Sequence, residues 1–214
     1  MSIRVILVED HAIVREGVAL LLDAQPDIEV VGSFAEAAAA VRGAVALEPD
    51  VALLDVSMPH MNGVECARLI HDACPATQIL MLSMHGSPEH VYQALRAGAR
   101  GYVLKDSAGR ELVEAVRAVH GGQRYFSRRL EAEEIERYLR ERAGDDPLER
   151  LSRRERQVVQ LIAEGMTSAQ VAARLNLSPK SVDTYRSRVM KKLELDDLAA
   201  LVKFAVRHGM TSVE

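Results

Sequence analysis

The feature that most constrains this chain is a change of hydrophobic period part-way along it. Over the first 120 or so residues, short apolar runs alternate with longer amphipathic stretches. Residues 3–8, 28–33, 50–55, 79–82 and 101–104 read as strands. Residues 12–24, 35–47, 63–73, 88–97 and 108–120 read as helices, with Val14, Val18, Leu21 and Leu22 on one face of the first. Short strands alternating with helices of ten or more residues imply βαβ units and a parallel sheet. The expected domain is a doubly wound α/β layer of five strands, in which ligands bind at the carboxyl ends of the strands.

Residues 151–208 show the helical period only. Ser152-x-x-Glu155 is a capping box that opens a helix through 164, and Gly165 stops it. Thr167-x-x-Gln170 opens a second helix ending near 175. Ser178-Pro179 places an N-cap before a first-turn proline, and this third helix runs to about 193. A fourth spans about 196–208. This is a small all-α domain of four helices. Between the two regions, residues 128–149 carry dense alternating charge, with Leu130, Ile135, Tyr138 and Leu139 as the large apolar positions. They read as a solvated helix followed by a Gly144-Asp-Asp-Pro147 break. The expected division is 1–124, a linker over 125–147, and 148–214.

Charge separates the same regions. Residues 1–126 hold 10 Lys and Arg against 16 Asp and Glu, a net −6, whereas residues 151–214 hold 11 against 7, a net +4. An acidic front and a basic back suggest different partners, with a polyanion for the basic end. Aromatics are 4% of residues and Trp is absent, so Ala, Val, Leu and Ile must build the cores. No apolar run approaches the ~18–20 residues of a membrane span. The start, Met1-Ser2-Ile3-Arg4, lacks a signal-peptide core. Cys66 and Cys74 make no disulfide scaffold and match no metal spacing. The expected home is a reducing cytoplasm, with no membrane partner.

Several polar residues fall at strand ends. Glu9 and Asp10 follow the first strand, Asp55 ends the third, Ser83 ends the fourth and Lys105 follows the fifth. The sheet would gather them in one crevice. Three carboxylates together raise each other's pKa unless a cation joins them. Oxygen donors of this kind suit Mg²⁺, and Lys105 and Ser83 suit phosphoryl oxygens. The chemistry is acceptance of a phosphoryl group on the Asp55 carboxylate. His11, His60, His71, His85 and His90 are scattered and read as surface or loop residues.

Glu9-Asp10, Asp55 with Met58-Pro59 and Asn62-Gly63, Ser83, and Gly101-Tyr102-Val-Leu-Lys105 resemble the receiver domain of two-component response regulators, over about residues 1–122. The resemblance implies a flavodoxin-like fold, phosphorylation of Asp55 by a histidine kinase, and Mg²⁺ on Glu9, Asp10, Asp55 and the backbone carbonyl of Ser57. It makes Ser83 and Tyr102 the switch pair and Lys105 the phosphoryl contact, with dephosphorylation rate tuned from Ser57 and His85. Asp106 departs from the pattern, where many receivers carry Pro.

The stretch 151–193 resembles the LuxR-type helix-turn-helix, and with the receiver makes a NarL/FixJ-type regulator. In its third helix Val182, Tyr185, Val189 and Leu193 form a core stripe. A helix of this kind fits the DNA major groove. Lys180, Arg186, Arg188, Lys191 and Lys192 are candidates for phosphate contacts, and Thr167 and Ser168 for phosphate at the start of the second helix. Asp183, Thr184 and Ser187 are candidates for base edges. Asp183 stands where many relatives carry Lys, and a carboxylate accepts from cytosine N4 while repelling phosphate. Leu198, Leu201, Val202, Ala205 and Val206 offer either a homodimer surface or an intramolecular core. The leading expectation is a phosphorylation-controlled transcription regulator without enzymatic turnover. An aspartyl-phosphate hydrolase, which needs a carboxylate where Ser57 stands, and a protein-contact adaptor are the competing readings.

Overall fold

The computed structural model describes residues 2–130, 132–141 and 147–211. The chain divides into two compact units, Met1–Tyr138 and Leu139–Glu214.

In the first unit, strands β1 (Ile3–Val8), β2 (Ile28–Phe34), β3 (Val51–Asp55), β4 (Gln78–Ser83) and β5 (Ala99–Leu104) alternate with helices α1 (Ala12–Asp23), α2 (Ala37–Leu47), α3 (Gly63–Ala73), α4 (Pro88–Arg96) and α5 (Ala108–His120). All strand pairs are parallel. All five residues of β3 are buried, as a strand covered by helices on both faces must be. On one face Leu7, Leu53, Leu80 and Val103 pack against Val18 and Leu22 of α1 and Leu112 and Val116 of α5. The order β2-β1-β3-β4-β5 changes direction between β1 and β3, and that switch opens a crevice at their carboxyl ends.

The sheet has six strands, not the five expected. Tyr125–Phe126 forms β6, which pairs with β5 in parallel through Gly101 and Tyr102. Two residues are too few for alternation to register in a sequence. The addition is fixed beyond the strand, where Ser127 donates its backbone N–H to the Tyr102 carbonyl at 2.9 Å. The Ser127 hydroxyl accepts from the Leu104 N–H at 3.2 Å and donates to the buried Glu111 carboxylate.

Helix α6 (Ala132–Glu141) follows. The sequence suggested a solvated helix, yet Leu130 just before it and Ile135 within it are buried. Tyr138 meets Tyr92 of α4 edge-on at 5.8 Å and donates its hydroxyl to Glu89. Gly86 admits the approach of Leu130, because a Cβ there would lie 2.8 Å from Leu130 Cδ2. Residues 144–146 of the expected break lie outside the described residues; Pro147 opens a short 3-10 turn, Pro147–Arg150.

The second unit holds α7 (Arg153–Ala163), α8 (Ser168–Leu175), α9 (Pro179–Leu193) and α10 (Leu198–Arg207). Both expected capping boxes form, Ser152 with Glu155 and Thr167 with Gln170. Each satisfies N–H groups that the first helical turn leaves without partners. Asn176 ends α8 in the left-handed region at φ 53°, and Ser178 caps α9 one residue before Pro179. Val158, Val159, Leu161, Val171, Val182, Val189, Leu201 and Ala205 build the core. Tyr185 and Leu193 pack at its edge, completing the expected stripe.

Candidate functional site

The carboxyl ends of β1, β3 and β5 bring Glu9, Asp55 and Lys105 into contact. Lys105 Nζ lies 2.7 Å from Glu9 Oε2 and 3.0 Å from Asp55 Oδ2. Glu9 and Asp55 are buried and Asp10 is partly exposed beside them. One donor atom from each of Glu9, Asp10, His11 and Asp55 can be chosen so that all lie within 4.8 Å of one another. Glycine at position 63 is required here, because a Cβ would stand 1.8 Å from the Asp55 carbonyl oxygen. Asn62 accepts from the Glu65 N–H to start α3 at that point. The Asn-Gly pair seven residues past the acid therefore lets a helix begin against the end of β3.

Burial and the neighbouring Glu9 carboxylate push the Asp55 carboxyl up to about 6, against the opposing pull of Lys105 and the Ser57 N–H. That N–H donates to Asp55 Oδ1 at 3.3 Å. Burial drives the Lys105 ammonium down, but Glu9 and Asp55 outweigh it and hold the ammonium above its ordinary value. Three carboxylates against one ammonium leave a formal −2 in a pocket of hard oxygen donors. That donor set and charge fit a small divalent cation. The buried Glu9 Oε2 and Asp55 Oδ2, which among the described residues meet no partner besides the lysine, fit it as well.

Ser83 and Tyr102 are both fully buried, at adjacent strands. They are joined through the backbone of His85: its N–H donates to Ser83 Oγ at 3.0 Å, and its carbonyl accepts from the Tyr102 hydroxyl at 2.6 Å. Burial raises the Tyr102 phenol far above its usual range. Among the described residues no peptide bond is cis, and the chain passes from Lys105 through Asp106 into a 3-10 turn, Lys105–Ser107.

Two residues at this pocket escaped the sequence. Arg15 donates Nη1 to the carbonyls of Glu9 at 2.7 Å and Asp10 at 3.2 Å, clamping the acidic loop. Its place one turn into the helix after an acidic pair was the available signal. His11, read as a surface histidine, is exposed, but its Nδ1 lies 3.2 Å from Glu9 Oε1 and 3.0 Å from Asp10 Oδ1. Asp10 and Glu9 raise its pKa.

In the second unit, Lys180, Asp183, Thr184, Ser187, Arg188 and Lys191 line one open hollow on the outer face of α9. The other candidates lie elsewhere. Lys192 meets Glu155 Oε2 at 2.6 Å, beside the Ser152 cap. Burial pushes the Glu155 carboxyl up, yet Lys192 and Ser152 outweigh it and hold the carboxyl below its usual value. Arg186 faces Asp183 at 3.2 Å. Thr167 spends its hydroxyl on the Gln170 side chain, and Ser168 donates to Asp183 at 2.9 Å.

Residues 5–117 match the family model for the response regulator receiver domain, and residues 149–205 match the bacterial regulatory proteins of the luxR family. The chain belongs to the response regulators. It is 35% identical over 212 residues to the response regulator UvrY of Escherichia coli O6:H1, covering 99% of this chain and 97% of UvrY. Among solved structures it resembles RcsB from Salmonella enterica serovar Typhimurium bound to promoter rprA with the phosphomimetic BeF3−. The TM-score is 0.63 at 27% identity, over 95% of this chain and 98% of RcsB. It also resembles RcsB in a structure of two RcsB dimers bound to two parallel DNAs, with TM-score 0.58, 28% identity, and 97% and 99% coverage. This response regulator therefore joins a receiver to a LuxR-type DNA-binding domain, and its family is regulatory. Among the described residues no helix is long and apolar enough to cross a membrane.

Proposed function

We propose that this response regulator is switched by phosphorylation of Asp55 from a histidine kinase, and that the switch controls dimerisation and sequence-specific binding to duplex DNA. The carrying observation is the contact of Lys105 with both Glu9 and Asp55 in one buried pocket. An Asp55 carboxylate oxygen forms the new P–O bond as the donor's P–N bond breaks and the imidazole leaves. Glu9, Asp10, Asp55 and the Ser57 carbonyl would hold Mg²⁺. The ion, when bound, supplies positive charge against the transferring phosphoryl oxygens. Lys105 turns from its carboxylates to the phosphoryl group. Ser83 follows the register partner of Asp55 on β4, which supports a role for its hydroxyl toward a phosphoryl oxygen. Moving it disturbs the His85 backbone and, through it, Tyr102. The phosphoryl group is lost slowly to water, without turnover of a substrate.

The working division is a receiver over 1–124, a connecting segment over 125–147 and the helix-turn-helix over 148–214, acting in the cytoplasm. Lys180, Arg188 and Lys191 contact phosphates from the open face of α9, with Thr184 and Ser187 toward base edges. Arg186, Lys192 and Thr167, held by Asp183, Glu155 and Gln170, lie off this hollow. Leu198, half exposed at the start of α10, supports a two-fold contact matching half-sites about 10 bp apart. The test is acetyl phosphate labelling followed by mass spectrometry. Wild type gains one phosphoryl group on Asp55 with Mg²⁺ and none with chelator. Equal labelling of Asp55→Asn rejects the assignment.

A further inference from the structure

The one carboxylate on the outer face of α9 is held in place. Asp183 Oδ1 accepts from Ser168 Oγ and also meets Arg186 Nη2, so both partners sit on the same oxygen. Ser168 is the first residue of the neighbouring helix, α8. Asp183 Oδ2 has no hydrogen-bond or ion-pair partner among the described residues, and Asp183 lines the open hollow beside Lys180, Arg188 and Lys191. The face thus carries three cations and a single carboxylate. A serine hydroxyl has one proton to donate. The proton of Ser168 is committed to Asp183, which removes it from the phosphate contact expected of it from sequence.

Resting on the DNA-binding reading above, we infer that Asp183 Oδ2 selects a cytosine through its N4 amino group, and that Ser168 and Arg186 are the positioning residues that aim it. A carboxylate only accepts hydrogen bonds. Guanine shows N7 and O6 acceptors in the major groove, and thymine shows O4. Adenine sets its N7 acceptor beside its amino group, whereas cytosine offers N4–H₂. Phosphates repel the carboxylate outright. Turned freely, the acid would sample its surrounding cations. Tethered on one oxygen, it presents the other in one direction, and a residue of α8 tunes base choice without touching a base.

The experiment is selection from random duplexes with the full-length protein and phosphodonor. The proteins are wild type, Ser168→Ala, Ser168→Thr, Asp183→Asn and the Ser168→Ala/Asp183→Asn pair. Wild type should enrich cytosine at one position of each half-site. Asp183→Asn should erase that preference. Ser168→Ala should cut discrimination at the same position by about 5-fold, as expected for one lost hydrogen bond at an exposed site. It should leave the other positions and the salt dependence unchanged. Ser168→Thr should restore the preference, and Ser168→Ala should add nothing in the Asp183→Asn background. An unchanged cytosine preference in Ser168→Ala overturns the inference. So does a uniform loss of affinity with a flatter salt slope, which would mark Ser168 as a phosphate contact. If wild type binds no duplex at all, the DNA-binding reading itself falls.

Discussion

The acidic pocket and the outer face of α9 hold charge in opposite ways. The pocket draws its groups from residues 9 to 105 and packs them out of water, with a lysine touching two carboxylates. The face draws its groups from residues 180 to 191 of one helix and leaves them open to solvent. Charges in a low-dielectric site interact strongly and are weakly screened, whereas exposed ones are screened within about 10 Å at ordinary salt. One group in the pocket therefore governs its neighbours. On the face each group adds a small, salt-sensitive share.

Lys105→Ala gives the largest effect. It leaves Glu9 and Asp55 buried against each other without a counter-charge, and should cost about 3 kcal/mol in chelator. Chemical denaturation measures this, and added Mg²⁺ should recover more stability in the variant than in wild type. A loss below about 0.5 kcal/mol would place the pocket in the same screened regime as the face.

The Asp55 carboxyl sets the next effect. Its pKa is raised to about 6 in the fold, so the native state binds this proton more tightly than the unfolded chain does. That proton's extra affinity stabilises the fold fully below the ordinary carboxylate value, and the stability is lost as pH rises through about 6. In chelator at pH 7, Asp55→Asn should be more stable than wild type by about 1–3 kcal/mol. The gap should close as pH falls from 7 to 4. Thermal melts across that window show it, and a gap that widens toward acid contradicts it.

On α9 the effects are smaller. Lys191→Ala should weaken binding to specific and random duplexes alike and reduce the salt slope by about 1. Lys192→Ala should leave that slope near wild type, because its ammonium is held by Glu155. It should cost the second unit up to about 1 kcal/mol, a partly exposed pair being worth little. Fluorescence-anisotropy titrations over a salt series compare the two lysines. Equal slopes would mean that the Glu155 contact does not hold Lys192 away from DNA.

The same contrast explains what could be read from sequence. The βαβ alternation and both capping boxes are local and periodic, so their outlines were visible. The pocket was visible because Asp55 ends a strand and Glu9 and Lys105 each directly follow one, and a parallel sheet gathers strand ends. Side-chain contacts across elements leave no period. The Ser127–Glu111 hydrogen bond that secures β6 joins residues 16 apart, and Tyr138 reaches Glu89 across 49. The His85 backbone bridge and the Ser168–Asp183 tether follow from packing that charge and spacing do not encode. For the same reason Lys192 looked like Lys191 in sequence, although the helix turns one toward Glu155 and the other outward.

The most direct measurement is duplex affinity at fixed salt for wild type and Asp55→Asn, each with and without acetyl phosphate and Mg²⁺. Phosphodonor should tighten wild-type binding by about tenfold, within the usual range of coupling between two sites, and leave Asp55→Asn unchanged. Equal tightening of both proteins, or none in wild type with Asp55 fully phosphorylated, would contradict a pocket that controls how this protein binds DNA.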